Sequence, residues 1–295
     1  MFDQIFGNFL VETDKITKEQ LADVIAYEST VRVKLGLIAV AEKLMTKAQA
    51  DEINQLQAIM DKRFGDIAVE KGYLTDEQVS NLLKKQGNIY MVFVQTLIDK
   101  KLMTLEEIDA SLEAYQAKMG FAHSDMDALV SGDVDRTVKL FLPTENELME
   151  KHCAIAIRTF LRIINSSAYV SKAYTTDKLS VDNLALQTLN GDYKITAAFA
   201  GLSDSLLDVA DTFAGESFEK VDMDALDAVG EFTNCINGLF ASEMSNESVE
   251  LDMLPPEFYE QATEVSGKKL CVMPIHNKGK EILFITSFDE DMIVK

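Results

Sequence analysis

The first 120 residues repeat a pattern of apolar and polar positions. Thr17, Thr46, Thr75 and Thr104 follow one another at intervals of 29 residues, and three positions after each stand Gln20, Gln49, Gln78 and Glu107. This is the T-x-x-Q/E capping box, in which each side chain satisfies an otherwise orphan backbone N–H at a helix start. An apolar residue precedes every threonine: Ile16, Met45, Leu74 and Met103. Another follows four positions on, at Leu21, Ala50, Val79 and Ile108. Eleven residues before the threonines stand Phe6, Leu35, Phe64 and Phe93. Each unit therefore reads as a short helix, a turn and a capped helix. Four capping boxes in one register predict a tandem array whose units stack to bury their apolar faces.

Residues 121–143 change character and read as a linker, with Gly, Ser and Asp among the apolar residues and the run Val138 to Leu142 closing at Pro143. Proline disfavours a helical conformation for the residue before it. A strand within 136–142 is one expectation, and Thr144 with Glu147 supplies a further capping box for a helix over 145–165. The domain boundary is placed near residue 143, giving an all-α domain over 1–120 and a second domain over 144–295.

The second half mixes the two periodicities. Strands are predicted at 168–176, 181–190 and 193–201, the last two turning at Asn190-Gly191-Asp192. A helix over 203–214 stops at Gly215, and a longer one covers 221–245. A hairpin of 268–276 with 280–288 turns at Asn277-Lys278-Gly279, and Pro255-Pro256 excludes a helix between. The fold class is thus two domains: a helical repeat of four 29-residue units, then an α+β domain.

Charge narrows the functions. The formal net charge is −21. Residues 1–120 hold 14 Lys/Arg against 19 Asp/Glu, and the rest hold 14 against 30. Nucleic-acid binding needs basic patches that displace counterions, and anionic membranes repel an acidic surface. No apolar run is long enough to span a bilayer, and no signal peptide opens the chain. Three scattered cysteines and three scattered histidines form neither a disulfide framework nor a metal motif. The chain reads as cytoplasmic, with reduced thiols and no metal of its own.

The 221–245 helix carries the candidate chemistry. At ~100° per residue, one side gathers Ala225, Val229, Phe232, Ile236, Leu239 and Phe240, which reads as core. The other gathers Asp227, Gly230, Glu231, Asn234, Gly238, Ala241 and Ser242. Glu231 and Asn234 are i and i+3 and hence neighbours. Two glycines inside one helix cost roughly 1 kcal/mol each against alanine, so a close approach by another backbone is expected at them. Asn237 lies at the edge of this face.

Asp227-Ala228-Val229-Gly230-Glu231-Phe232-Thr233-Asn234-Cys235-Ile236-Asn237-Gly238 resembles the D-A-x-G-E-x-x-N-M-I-x-G signature of the CheX/CheC-type chemotaxis phosphatases. The likeness extends over about residues 147–290. A single motif of this kind favours the CheX type, since CheC and FliY relatives often carry two. The resemblance implies removal of phosphate from the aspartyl phosphate of a response-regulator receiver such as CheY. The receiver would supply Mg²⁺. Asn234 would orient the attacking water, and Glu231 would pair with the receiver's lysine. A homodimer through the C-terminal domain is expected by the same analogy.

Arg63-Phe64-Gly65, with Val69, Gly72, Leu74, Val79, Leu82 and Gln86, resembles a motif of the N-terminal domain of type II secretion and pilus ATPases. In that family two such motifs can bind cyclic di-GMP. Lys34-Leu35-Gly36 to Gln57 would be the partner motif, with Lys34 where the family has arginine. Lys34 and Arg63 are therefore the candidate nucleotide contacts. The residues leave a second reading open, a non-catalytic dimeric signalling module whose repeats sense cyclic di-GMP or a protein.

Overall fold

The computed structural model describes residues 1–28, 30–60, 62–143, 146–262, 264–289 and 291–295. The chain forms two compact units, Phe2–Gly132 and Asp133–Lys295. Among the described residues, no helix is long and apolar enough to cross a membrane.

The Phe2–Gly132 unit is helical: α1 (Phe2–Glu12), α2 (Lys18–Glu28), α3 (Leu35–Ala41), α4 (Lys47–Met60), α5 (Phe64–Glu70), α6 (Asp76–Lys84), α7 (Ile89–Asp99), α8 (Leu105–Met119) and α9 (His123–Ser131). All four capping boxes close. The amides of Thr17, Thr46, Thr75 and Thr104 each donate over 2.8 Å to the side chain three residues on. The returning bonds to the threonine hydroxyls are 3.2–3.3 Å. Ile16, Met45, Leu74 and Met103 are buried beside them, as are Phe6, Leu35, Phe64 and Phe93. Apolar residues flanking each cap thus lock the turn against the next helix. Phe6 packs with Phe9, Phe93 and Tyr115 at ring separations of 6.0–6.3 Å.

The Asp133–Lys295 unit begins with α10 (Val134–Phe141) and α11 (Glu147–Ile163). Strands β1 (Tyr169–Val170), β2 (Tyr174–Leu179), β3 (Asn183–Gly191) and β4 (Ile195–Gly201) follow, then α12 (Leu207–Ala214) and α13 (Met223–Asn246). The chain closes with β5 (Leu251–Met253), β6 (Glu257–Glu260), β7 (Val265–Asn277), β8 (Lys280–Phe288) and β9 (Ile293–Val294). The sheet runs β1-β7-β8-β4-β3-β5, with β2 and β9 also on β7 and β6 also on β3. These pairings are antiparallel.

Alternation along the strands divides the sheet into two buried faces. One gathers Leu184, Leu186, Ala198, Ala200, Val272 and Ile285. The other meets the helices through Phe199 and Phe284, whose rings lie 5.1 Å apart, and Phe199 in turn touches Phe232 of α13 and Phe160 of α11. Helix α13 lies on this face against β3 and β4, flanked by α11, α12, β5 and β6.

Several expectations change. Within the stretch 136–142, residues 136–141 belong to helix α10 and form no strand. Asp133 caps it by accepting from Arg136 N–H at 3.1 Å, and Thr137, Val138 and Phe141 are buried on one side. Residues 121–143, read as a linker, hold α9 and α10. The predicted Thr144 cap lies outside the described residues; Asn146 accepts from Met149 N–H at 3.0 Å at the start of α11. The strand expected over 168–176 is two strands, β1 and β2, both on β7. Val170 pairs with Ile275 and Tyr174 with Val272, so the break falls at Pro274, which has no N–H to donate.

Candidate functional site

Helix α13 starts at Asp222, whose carboxylate accepts from Ala225 N–H at 3.3 Å. Ala225, Val229, Phe232, Ile236 and Phe240 are fully buried, as the helical projection requires. Leu239 is not: it is 42% exposed. The projection assumes one covering surface along the whole helix. Instead, α12 covers the first half, where Phe213 meets Phe232 at 5.5 Å, and burial shifts to Phe240 and Met244 in the second.

The opposite flank differs too. Gly230 is buried rather than outward-facing. The edge strand β6 brings Phe258 over it, and a Cβ at residue 230 would stand 2.3 Å from Cε1 of that ring. The close approach expected at the glycines is therefore made by a side chain, and only at Gly230. A Cβ at Gly238 would meet Met253 at 3.7 Å, an ordinary contact. Asn237, placed at the edge of the face by the projection, is wholly buried.

Glu231 and Asn234 sit beside each other on the remaining surface, Glu231 exposed and Asn234 half-buried. Among the described residues, the Glu231 carboxylate has no hydrogen-bond or ion-pair partner. It borders a groove of about 540 Å³ lined also by Phe213, Phe218, Glu216, Asp224 and Asp227. The field there is negative: residues 200–260 hold 15 acidic residues and one basic, Lys220.

Asn234 is tethered. Its Oδ1 accepts from Gln187 Nε2 at 2.8 Å. Gln187 lies on β3, is 1% exposed, and donates a second time to the Leu254 carbonyl at 2.9 Å. Gln187 Oε1 accepts from Asn237 Nδ2 at 2.8 Å. Asn237 Oδ1 lies 2.9 Å from His152 Nε2, and Thr286 Oγ1 lies 3.4 Å from His152 Nδ1. A row of polar side chains thus runs from the exposed face into the aromatic core, where the His152 ring sits 4.6 Å from Phe240. Burial holds the His152 pKa down to about 4, against the opposing bond with Asn237, so the imidazole is neutral at physiological pH.

No motif in the sequence marks Gln187 or His152, and the helical projection leaves Asn237 at the edge of the face. The available signal was a polar residue on a core-facing position: Gln187 alternates with apolar residues in β3, and His152 lies among the apolar positions of α11. Cys153 and Cys271 are buried with thiols pushed above the usual range, in keeping with core packing. Among the described residues, no group of three or more His, Cys, Asp or Glu is arranged to hold a metal.

In the helical unit, Lys34 and Arg63 line one groove of about 790 Å³, together with Arg32, Gln57 and Gln86. Both stand in extended conformation at the starts of α3 and α5 without a side-chain cap. Lys34 Nζ lies 3.2 Å from Asp99 in an exposed pair.

An antiparallel sheet covered on one face by helices, with a free carboxylate and an anchored amide on one of those helices, defines the C-terminal unit. Residues 184–276, which include α13, match the family described as chemotaxis phosphatase CheX. Solved structures similar to the chain include a CheC-like superfamily protein from Shewanella sp. PV-4, at 18% identity and TM-score 0.44, covering 49% of this chain and 99% of that one. A chemotaxis protein CheX from Desulfovibrio desulfuricans is similar at 15% identity and TM-score 0.43, covering 48% and 99%. A third is the CheX–CheY–BeF₃–Mg²⁺ complex from Borrelia burgdorferi, at 14% identity and TM-score 0.35, covering 50% and 98%. No curated protein matches the chain.

Proposed function

We propose that the Asp133–Lys295 unit hydrolyses the aspartyl phosphate of a response-regulator receiver such as CheY. The observation that carries this reading is the pair on α13: a free carboxylate and an anchored amide, i and i+3, inside the segment that matches a phosphatase family. An acyl phosphate needs a water aligned with the departing carboxylate, and little other chemistry from its partner. An amide suits that task because its two ends differ, so one can be held by the protein while the other meets the water. Asn234 orients the water. Glu231, unpaired among the described residues, reaches the receiver's lysine and sets the docking register. Receivers carry Mg²⁺, which offsets phosphoryl charge when bound. The acidic surface of residues 200–260 selects a partner with a basic rim. The test is phosphate release from phosphorylated receiver with and without the full-length protein. Acceleration by the wild type and none by Asn234→Ala supports the reading; wild type at the blank rate sinks it and leaves a non-catalytic receiver-binding module.

A second reading concerns the helical unit. Its groove is lined by Arg32, Lys34 and Arg63 against one acidic residue, Asp66, a net cationic lining suited to a phosphodiester. We infer that this unit, whose four capped segments look like copies of one ancestral repeat, binds cyclic di-GMP there. Titration calorimetry with cyclic di-GMP should give heat that Arg63→Ala removes. No heat with the wild type would make the groove a protein-docking element instead.

A further inference from the structure

The polar row beneath Asn234 has a direction, and one backbone carbonyl sets it. Pro255 and Pro256 have no N–H, so the ladder along the edge of β3 cannot continue through them. Pairing passes from Leu189 with Met253 to Leu186 with Glu257, leaving Gln187 and Thr188 opposite the break. Leu254 N–H still donates to the Thr188 carbonyl at 2.9 Å. The Leu254 carbonyl accepts from the Gln187 side chain at 2.9 Å. A carbonyl can only accept, so the end of the Gln187 amide beside it is Nε2. That nitrogen also lies 2.8 Å from the Asn234 amide, which must therefore turn its oxygen inward. The direction is passed on at the other end. Gln187 Oε1 accepts a hydrogen bond from Asn237 Nδ2, so Asn237 turns Oδ1 towards His152, and the neutral imidazole carries its hydrogen on Nε2.

We propose that Gln187 is a positioning residue for Asn234, fixing that amide with Oδ1 anchored inward and Nδ2 outward. The inference rests on the phosphatase reading above. An untethered asparagine on a helix surface can turn its amide over, exchanging donor and acceptor. Water held in line by such an amide would be presented correctly in one orientation and wrongly in the other. Gln187 prevents the exchange because all three of its hydrogen bonds are made, and losing any of them would leave a buried polar group unpaired. Being 1% exposed, Gln187 itself touches no partner. Of the two site residues it bonds Asn234 and not Glu231, so the docking contact is untouched.

The experiment compares full-length wild type, Asn234→Ala, Gln187→Met and Gln187→Glu. Methionine keeps the bulk and removes every hydrogen bond. Glutamate keeps the shape but has no N–H, so it cannot donate to both the Leu254 carbonyl and Asn234. Turnover of phosphorylated receiver is measured beside the Kd for receiver loaded with beryllofluoride and Mg²⁺. We expect kcat to fall at least tenfold in both Gln187 variants, with Kd within twofold of wild type. Retained Kd also reports that α13 is folded; if glutamate is not tolerated in the core, Gln187→Met decides. Unchanged kcat in a variant that binds normally overturns the inference. So does kcat loss matched by an equal weakening of Kd, which is the mark of a distorted helix. Wild type at the blank rate overturns the phosphatase reading itself. An active wild type with inactive Asn234→Ala and fully active Gln187→Met overturns only the role of Gln187.

Discussion

The two glycines inside α13 should respond to the same substitution with opposite signs. Alanine in a helix interior is favoured over glycine by about 1 kcal/mol, because it leaves less backbone entropy to lose. At Gly238 nothing opposes that gain, since the added methyl meets only Met253 at 3.7 Å. Gly238→Ala should stabilise the unit by up to about 1 kcal/mol. At Gly230 the methyl would stand 2.3 Å from Phe258 Cε1 and 3.0 Å from Cζ. Phe258 is part of β6, paired to Ala185 of β3, so the ring cannot retreat without moving an edge strand. Overpacking of this kind costs about 1–3 kcal/mol, which equals or exceeds the helix gain. The two variants should thus differ by about 1–3 kcal/mol, with Gly230→Ala the less stable. Hydrogen exchange of the α13 amides reads this unit separately from the other. Equal protection gains in both variants would refute the account of Gly230.

Two predictions follow from titrating groups. The pKa of His152 falls from 6.5 to about 4 on folding, so the unfolded state binds the extra proton between those values. Stability is complete above pH 6.5 and declines as pH falls towards 4, by about 3 kcal/mol in all at ~1.4 kcal/mol per unit. Urea midpoints across that window should flatten in His152→Gln, and an unaltered slope would refute the assignment. Glu28 has its carboxyl pushed up to about 8 by burial and by Asp3, and one of its oxygens is buried with no hydrogen-bond partner among the described residues. Here the folded state holds the proton more tightly. Stability is complete below pH 4.5 and lost as pH rises through 8, so Glu28→Gln should raise the melting temperature at pH 8.5 more than at pH 5. An equal shift at both would exclude the titration.

What could be read from residues alone was local and periodic. The capping boxes at Thr17, Thr46, Thr75 and Thr104 need only contacts three residues apart, so the sequence contains their whole cause. The core arc of α13 and the adjacency of Glu231 and Asn234 follow from helical geometry in the same way, as does the hairpin of β7 with β8. Where the covering surface changed along an element, local reasoning failed. The projection puts Leu239 in the core and Gly230 on the surface because no sequence rule says that α12 covers only part of α13 or that β6 folds over the flank. The apolar run before Pro143 is helical up to Phe141 because the Asp133 cap and the buried side of α10 favour it, and only Leu142, the residue before the proline, takes the extended conformation. The anchoring of Asn234 is the clearest case. Gln187, Asn237, Leu254 and His152 are spread over 103 residues, and their order of donors and acceptors exists only once β3, α11, α13 and the proline break converge. Hydrogen-bond direction is a property of neighbours in space. The sequence determined which groups α13 offers to a partner; the tertiary structure decided which way its amide faces.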